Sequence, residues 1–186
     1  MEINDAEDLL SLTLTGLLCV CSCSTRKEND IMKPLEVVPS VNIEKYMGTW
    51  YEIARYRMFF DEDAVAATAT YTLNADGTVR VLNQGRIGTI DGPPTSIEGV
   101  ARSVDPSNAK LKVEFNRTDL AGIEFDYWII ALGVDYEYAV VSSPSRGVLY
   151  ILSRTSTVDQ QFYEDLVAKL AQQGFNADMI VMTPQL

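Results

Sequence analysis

Gly48-Thr49-Trp50-Tyr51-Glu52-Ile53-Ala54-Arg55-Tyr56-Arg57-Met58 is the stretch on which the reading of the fold turns. It has the aromatic and β-branched content of a strand, and with a period of two Trp50, Glu52, Ala54 and Tyr56 share one face. The same period recurs down the chain. Strand-like segments are predicted at 50–58, 66–73, 78–85, 95–103, 110–116, 124–132, 137–142 and 148–154. Between them lie turn formers such as Asn74-Ala75-Asp76-Gly77, Asp91-Gly92-Pro93-Pro94, Asp105-Pro106-Ser107-Asn108 and Ser143-Pro144-Ser145-Arg146-Gly147. Each connection is too short for a helical crossover, so neighbouring strands run antiparallel. Eight meandering strands leave two exposed edges unless they close, and closure predicts an all-β, eight-stranded up-and-down antiparallel barrel. Its interior holds side chains or one small ligand.

One helix is expected after the strands. Thr157-Val158-Asp159-Gln160 has capping-box spacing, Phe162, Tyr163, Leu166, Val167, Leu170 and Ala171 make one apolar stripe, and Gly174 is the stop. Residues 179–182 add a short edge strand. The chain has 186 residues, 47% of them hydrophobic, which suits a single core. A formal charge of −11 repels phosphate backbones, so no nucleic-acid partner is expected. The sequence contains no histidine, which excludes Ser-His-Asp and Cys-His catalysis and imidazole metal sites.

Cys19, Cys21 and Cys23 are the three cysteines, so no disulfide staples the body. A C-x-C-x-C cluster can hold a soft metal, but the neighbouring sequence carries a different signal. Residues 9–20 are uncharged and largely apolar, too short to span a bilayer as a helix and of signal-peptide length. Val20-Cys21-Ser22-Cys23 follows and resembles the bacterial lipobox, with Cys23 as the lipidated residue and Ser24 as an outer-membrane sorting residue. Glu2, Asp5, Glu7 and Asp8 stand where that pattern has bases. A disordered leader with a chance apolar run is the competing reading. The expected division is a signal peptide over 1–22, a flexible tether over 23–40 and a barrel domain over 41–186. About 17 flexible residues reach roughly 20–25 Å.

Three motifs fall in order along the barrel. Gly48-Thr49-Trp50 opens the first strand, 127–132 with 135–141 surrounds a turn, and Leu149-Tyr150-Ile151-Leu152-Ser153-Arg154-Thr155 carries a single arginine. This set resembles the lipocalin signature, in its bacterial outer-membrane lipoprotein subgroup, which is related to apolipoprotein D and the temperature-induced lipocalins of plants. Gly133 stands where the second motif has an acid, with Asp135 two residues later. The resemblance implies a structural floor of Gly48, Trp50, Asp135 and Arg154, with Arg154 over the indole. It also implies a binding protein for a fatty acid, lysophospholipid or similar amphiphile, anchored by lipid to the outer membrane and facing the periplasm. No cofactor or metal is called for.

Strand parity then places Glu52, Ala54, Tyr56, Ala69, Tyr71, Val81, Asn83, Leu111, Val113, Phe115, Tyr138 and Val140 on the inner wall. On 124–132 either Tyr127 and Ile129 or Trp128 and Ile130 face inward. Phe59, Phe60, Ile87 and Ile90 are candidates for a greasy rim. The alternatives are a lipocalin-fold enzyme, with Glu52 or Tyr71 as acid–base groups and Ser142 and Ser143 without a base, and a ligand-free interaction module. A homodimer is compatible with all three.

The anchor has a direct check. Cys23→Ala should move the protein from the membrane fraction to a soluble one, because stable attachment needs the several chains of a lipoprotein cysteine. A variant that fractionates with membranes like its parent removes the assignment.

Overall fold

The computed structural model describes residues 33–56 and 64–186. The leader, Cys23, Phe59 and Phe60 lie outside the described residues. A short helix, α1 (Ile43–Tyr46), precedes eight strands: β1 (Gly48–Tyr56), β2 (Ala64–Leu73), β3 (Val79–Ile87), β4 (Pro94–Ser103), β5 (Lys110–Phe115), β6 (Glu124–Leu132), β7 (Tyr138–Ser142) and β8 (Leu149–Ser153). Helix α2 (Gln160–Gln172) and a ninth strand, β9 (Ile180–Met182), complete the chain. Each of β1 to β8 pairs antiparallel with its sequence neighbour, and β1 pairs with both β2 and β8, so the eight strands close. No helix among the described residues is long and apolar enough to cross a membrane.

One end of the barrel is sealed by the chain entering it. Asn42 caps α1 through the Lys45 N–H, and α1 lays Tyr46 beneath the first inward residue of β1, Trp50, which is fully buried. The Trp50 indole N–H donates to the Tyr46 carbonyl at 2.9 Å. Arg154, just past β8, stacks its guanidinium 3.7 Å from the Trp50 ring centroid. It also donates to the carbonyls of Lys45, Met47 and Thr49 at 2.9 Å each. A helix end leaves carbonyls without intrahelical partners, and here one cation satisfies several of them. Gly48, at φ +95, permits the turn, and a Cβ there would lie 3.4 Å from Arg154 Nη1.

At the second motif the turn between β6 and β7 is closed by a residue that sequence reading passed over. Asp135 contributes its backbone N–H, which donates to the Glu137 carboxylate at 3.0 Å, while its own side chain is exposed. The Glu137 carboxylate fills the space that a side chain at 133 would need. Gly133 and Glu137 together therefore stand in for the expected acid.

Two apolar clusters share the wall. The inner one runs from Val41, Tyr46 and Trp50 through Ala69, Tyr71, Val81, Val113 and Ile129. The outer one lies under α2 and includes Ile53, Tyr56, Ile130, Val140, Ile151, Leu166 and Leu170. Burying Leu166 and Leu170 contributes about 1.5–3 kcal/mol each, which fixes the helix on the barrel. The helix is capped by Asp159, which accepts from the Phe162 N–H at 2.9 Å, two residues beyond the expected Thr157. Gly174, at φ +89, ends it in a Schellman turn in which Phe175 N–H donates to Leu170 O.

Residues 33–41, mostly read as tether, are applied to the barrel. Leu35 is buried in the outer cluster, the Val38 N–H donates to Ile129 O, and Val41 is buried in the inner cluster. Alternating apolar residues within a polar, Pro-bearing stretch hid this from the composition. The ninth strand is the expected short edge strand, and it lies on β1. Among the described residues β1 and β2 pair from Gly48 to Tyr51, and above that β9 pairs with β1 through Ala54, Arg55 and Tyr56. Pro184 O then accepts from the Ala66 N–H, so the C-terminal segment stitches the seam between the two strands.

Candidate functional site

The inner wall is decided by cross-strand registers, because directly opposed residues share a face. Trp50 opposes Ala69, Ala69 opposes Asn83, and Tyr71 opposes Val81. Ala101 opposes Val113, Leu111 opposes Tyr127, and Ile129 opposes Val141. Glu52, Ala69, Tyr71, Asn83, Val113, Phe115, Tyr127 and Ile129 therefore face inward. Trp128 and Ile130 face out, which settles the open parity of β6.

Four expected wall residues face the other way. A β-bulge at Ile53 shifts the register between Glu52 and Ala54, so Ala54 and Tyr56 turn outward under α2. The Tyr56 hydroxyl accepts from the Asn176 N–H at 2.6 Å and its ring meets Phe175 edge-on. On β7 the inward pair is Ala139 and Val141, while Val140 lies in the outer cluster and Tyr138 packs against Phe162 at 4.9 Å between centroids. Both faces of β7 are apolar because α2 covers the outer one, so hydrophobicity carried no parity signal there.

The bulge has a second effect, which is to bring Arg55 to the inner face. Its Nη1 donates to Glu52 Oε1 at 2.6 Å and to Ala64 O at 3.0 Å, and the Thr183 hydroxyl donates to the same carboxylate oxygen at 2.6 Å. Glu52 and Arg55 are both largely buried and neutralise one another. At this seam a cleft of about 310 Å³ is lined by Arg55, Ala64, Val65, Gly88, Thr183 and Pro184, among others. A second cleft of about 300 Å³ lies outside the barrel, where the N-terminus of α2 meets Tyr138 and Arg154.

Across the lower interior runs a bar of tyrosines. The Tyr127 hydroxyl of β6 lies 2.8 Å from that of Tyr46 and 3.0 Å from that of Tyr71 on β2. In the strand order β2 and β6 are four apart of eight, on opposite walls. Tyr71 and Tyr127 meet edge-on, and Tyr46 stacks on Tyr71. Above the bar stand the Glu52–Arg55 pair, Asn83, and Phe115 against Phe125 at 5.7 Å. Gly99 makes the last arrangement possible, since a Cβ there would lie 2.9 Å from the Phe115 ring. Tyr46 and Gly99 were missed in the sequence because each matters only through a partner on a distant element.

Burial holds all three phenols in the neutral form. Desolvation, the largest cause, raises Tyr46 and Tyr127 well above the ordinary value and pushes Tyr71 up to about 12. For Tyr71 the folded chain keeps a proton that the unfolded chain releases from about pH 10 upward. The stability this contributes is therefore complete below about pH 10 and lost as pH rises towards about 12. Urea unfolding at about pH 9 and about pH 11 should show the parent losing more stability than Tyr71→Phe, within a ceiling of about 3 kcal/mol. Equal losses in the two proteins would show that Tyr71 ionises freely.

The chain matches the lipocalin-like domain family over residues 41–185. It is 40% identical over 159 residues to temperature-induced lipocalin-1 of Arabidopsis thaliana, covering 82% of this chain and 84% of that protein. It is 34% identical over 180 residues to the outer membrane lipoprotein Blc of Citrobacter freundii, covering 94% of each. Apolipoprotein D of Rattus norvegicus is 34% identical over 73% of this chain and 68% of its own. Among solved structures, insecticyanin from Manduca sexta superposes with a TM-score of 0.62 at 18% identity over 82% of this chain and 85% of that one. Lobster apocrustacyanin A1 does so with a TM-score of 0.59 at 19% identity over 78% and 80%. With the family match spanning its barrel and relatives of this similarity, the chain belongs to the lipocalin family.

Proposed function

We propose that this lipocalin is a lipid-anchored protein of the outer membrane that holds a fatty acid, a lysophospholipid or a similar amphiphile in its barrel for storage or transport. The observation that carries the reading is a barrel sealed at one end by Trp50 and Arg154, with an inner wall that is apolar above the seal. Small-ligand sites have this character, mostly apolar with a few placed polar groups. The amphiphile would contact Phe115, Val113, Ala69 and Asn83, with Tyr71 and Tyr127 beneath it. Tyr56, Tyr138 and Val140 have no part in it, since they face α2. The outer-membrane assignment draws on relatives named outer membrane lipoprotein in Citrobacter freundii, Escherichia coli and Vibrio cholerae. Lys33 O accepts from Arg146 at the β7–β8 turn, so the described chain begins at the mouth end, and a lipid on Cys23 would tether the barrel from that end.

A carrier fits the site better than an enzyme. Glu52 is occupied by Arg55 and Thr183, Tyr71 is a weak acid that stays protonated, and the Ser142 hydroxyl is bound to the Val148 carbonyl at 2.6 Å.

Calorimetry of the delipidated protein with saturated fatty acids of increasing length should show affinity rising with each methylene, up to a ceiling of about 0.8 kcal/mol per group, until the cavity is filled. Phe115→Glu should weaken binding while leaving the fold intact. Affinity independent of length would favour a barrel filled by its own side chains, and steady conversion of a lipid would favour the enzyme.

A further inference from the structure

The tyrosine bar contains more hydrogen-bond donors than the protein uses. Three hydroxyls bring three protons, and the two hydroxyl–hydroxyl contacts consume one each. Whichever way the chain of bonds runs, one O–H remains, and among the described residues no protein acceptor takes it. A second, independent observation lies on the neighbouring strand. Asn83 opposes Ala69, which places it diagonally above Tyr71 on the inner wall, about 7–8 Å away in backbone terms and within side-chain reach. Its Oδ1 is buried from solvent and accepts no hydrogen bond. A buried polar atom without a partner is costly, and a spare donor on the bar with a spare acceptor on the wall diagonally above Tyr71 offers a polar subsite.

The electrostatics of the subsite restrict its occupant. The phenols stay protonated, Arg55 is matched by Glu52, and Arg154 is committed to the carbonyls below Trp50. Among the described residues no net positive charge is left over, so a carboxylate or phosphate finds no counterion there at this depth. A neutral hydroxyl, which both donates and accepts, matches Asn83 Oδ1 and the spare tyrosine O–H together. Because the bar blocks the way to the floor, the group that reaches it is the innermost end of the ligand.

Resting on the carrier reading, we infer that Tyr71, Tyr127 and Asn83 form an inner subsite for a neutral oxygen, and that the preferred ligands are acyl chains hydroxylated at the end remote from the headgroup. The carboxylate or headgroup stays at the mouth and the chain runs inward through Phe115 and Val113. The terminal hydroxyl closes the hydrogen bonds that the protein leaves open.

The test compares hexadecanoate with ω-hydroxyhexadecanoate, and shorter pairs of the same kind, on the delipidated protein by calorimetry. In a wholly apolar cavity the added hydroxyl loses its water and weakens binding about tenfold or more. The subsite predicts that the hydroxy acid of the best-fitting length binds at least as tightly as its parent. It also predicts that Asn83→Leu and the Tyr71→Phe, Tyr127→Phe double variant each reduce binding of the hydroxy acid about tenfold relative to the plain acid. In the native protein a terminally ¹³C-labelled hydroxy acid should give nuclear Overhauser contacts from its CH₂OH to the Tyr71 and Tyr127 rings. A hydroxy acid that binds more weakly than its parent at every length, or a CH₂OH that contacts other residues, overturns the subsite and leaves the carrier intact. Failure of both acids to bind at any length overturns the carrier reading and the subsite with it.

Discussion

The Arg154 guanidinium, flat against Trp50 and bonded to the carbonyls at the end of α1, is the contact on which the rest of the barrel depends. It joins parts of the chain that lie more than a hundred residues apart: the entry to β1 and the exit from β8. Its Nε also approaches the Tyr136 carbonyl in the β6–β7 turn. A guanidinium suits this place because its planar fork offers several donors at its rim while its face covers an aromatic ring. A lysine would supply one point charge and leave carbonyls unmatched. Burial pushes the Arg154 pKa below the ordinary guanidinium value, while the carbonyls it donates to hold the group in place.

A sealed floor gives the layers above it their meaning. Tyr46 rests on Trp50 and, through Tyr127, reaches Tyr71 on the opposite wall, so the bar of hydroxyls is held by the same helix that Arg154 caps. Below the bar the interior is packed protein; above it the described wall is mostly apolar, with the neutralised Glu52–Arg55 pair and Asn83 among its polar groups. The mouth half is shaped differently. There the bulge at Ile53 turns β1 away from β2, and β9 with Thr183 and Pro184 occupies the gap.

Much of this was legible in the sequence because it depends on local pattern. The alternation through Trp50, the turn formers at short intervals and the stripe from Phe162 to Leu170 each report a face or a boundary, and together they require a closed meander with one helix. Trp50 and Arg154 could be paired because strand order places both at one end. The site was less legible, for separate physical reasons. A single extra residue at Ile53 inverts everything after it, which put Ala54 and Tyr56 on the wrong face. α2 makes both faces of β7 apolar, which erased the signal at Tyr138 and Val140. The tyrosine bar joins α1, β2 and β6, and no periodicity links positions so far apart. Glu137 replaces an acid expected at Gly133 only because the turn folds its carboxylate back over the glycine.

The central physical claim is that Trp50 and Arg154 act as one unit in closing the barrel, and a double-mutant cycle measured by urea unfolding tests it most directly. Trp50→Ala alone should cost about 3–5 kcal/mol as a large-to-small core change. With Trp50 already removed, Arg154→Ala should cost less than it does in the parent, and the difference, the coupling energy, should be about 0.5–2 kcal/mol. Strictly additive effects of the two substitutions would contradict the account, because they would mean that the guanidinium and the indole stabilise the floor independently.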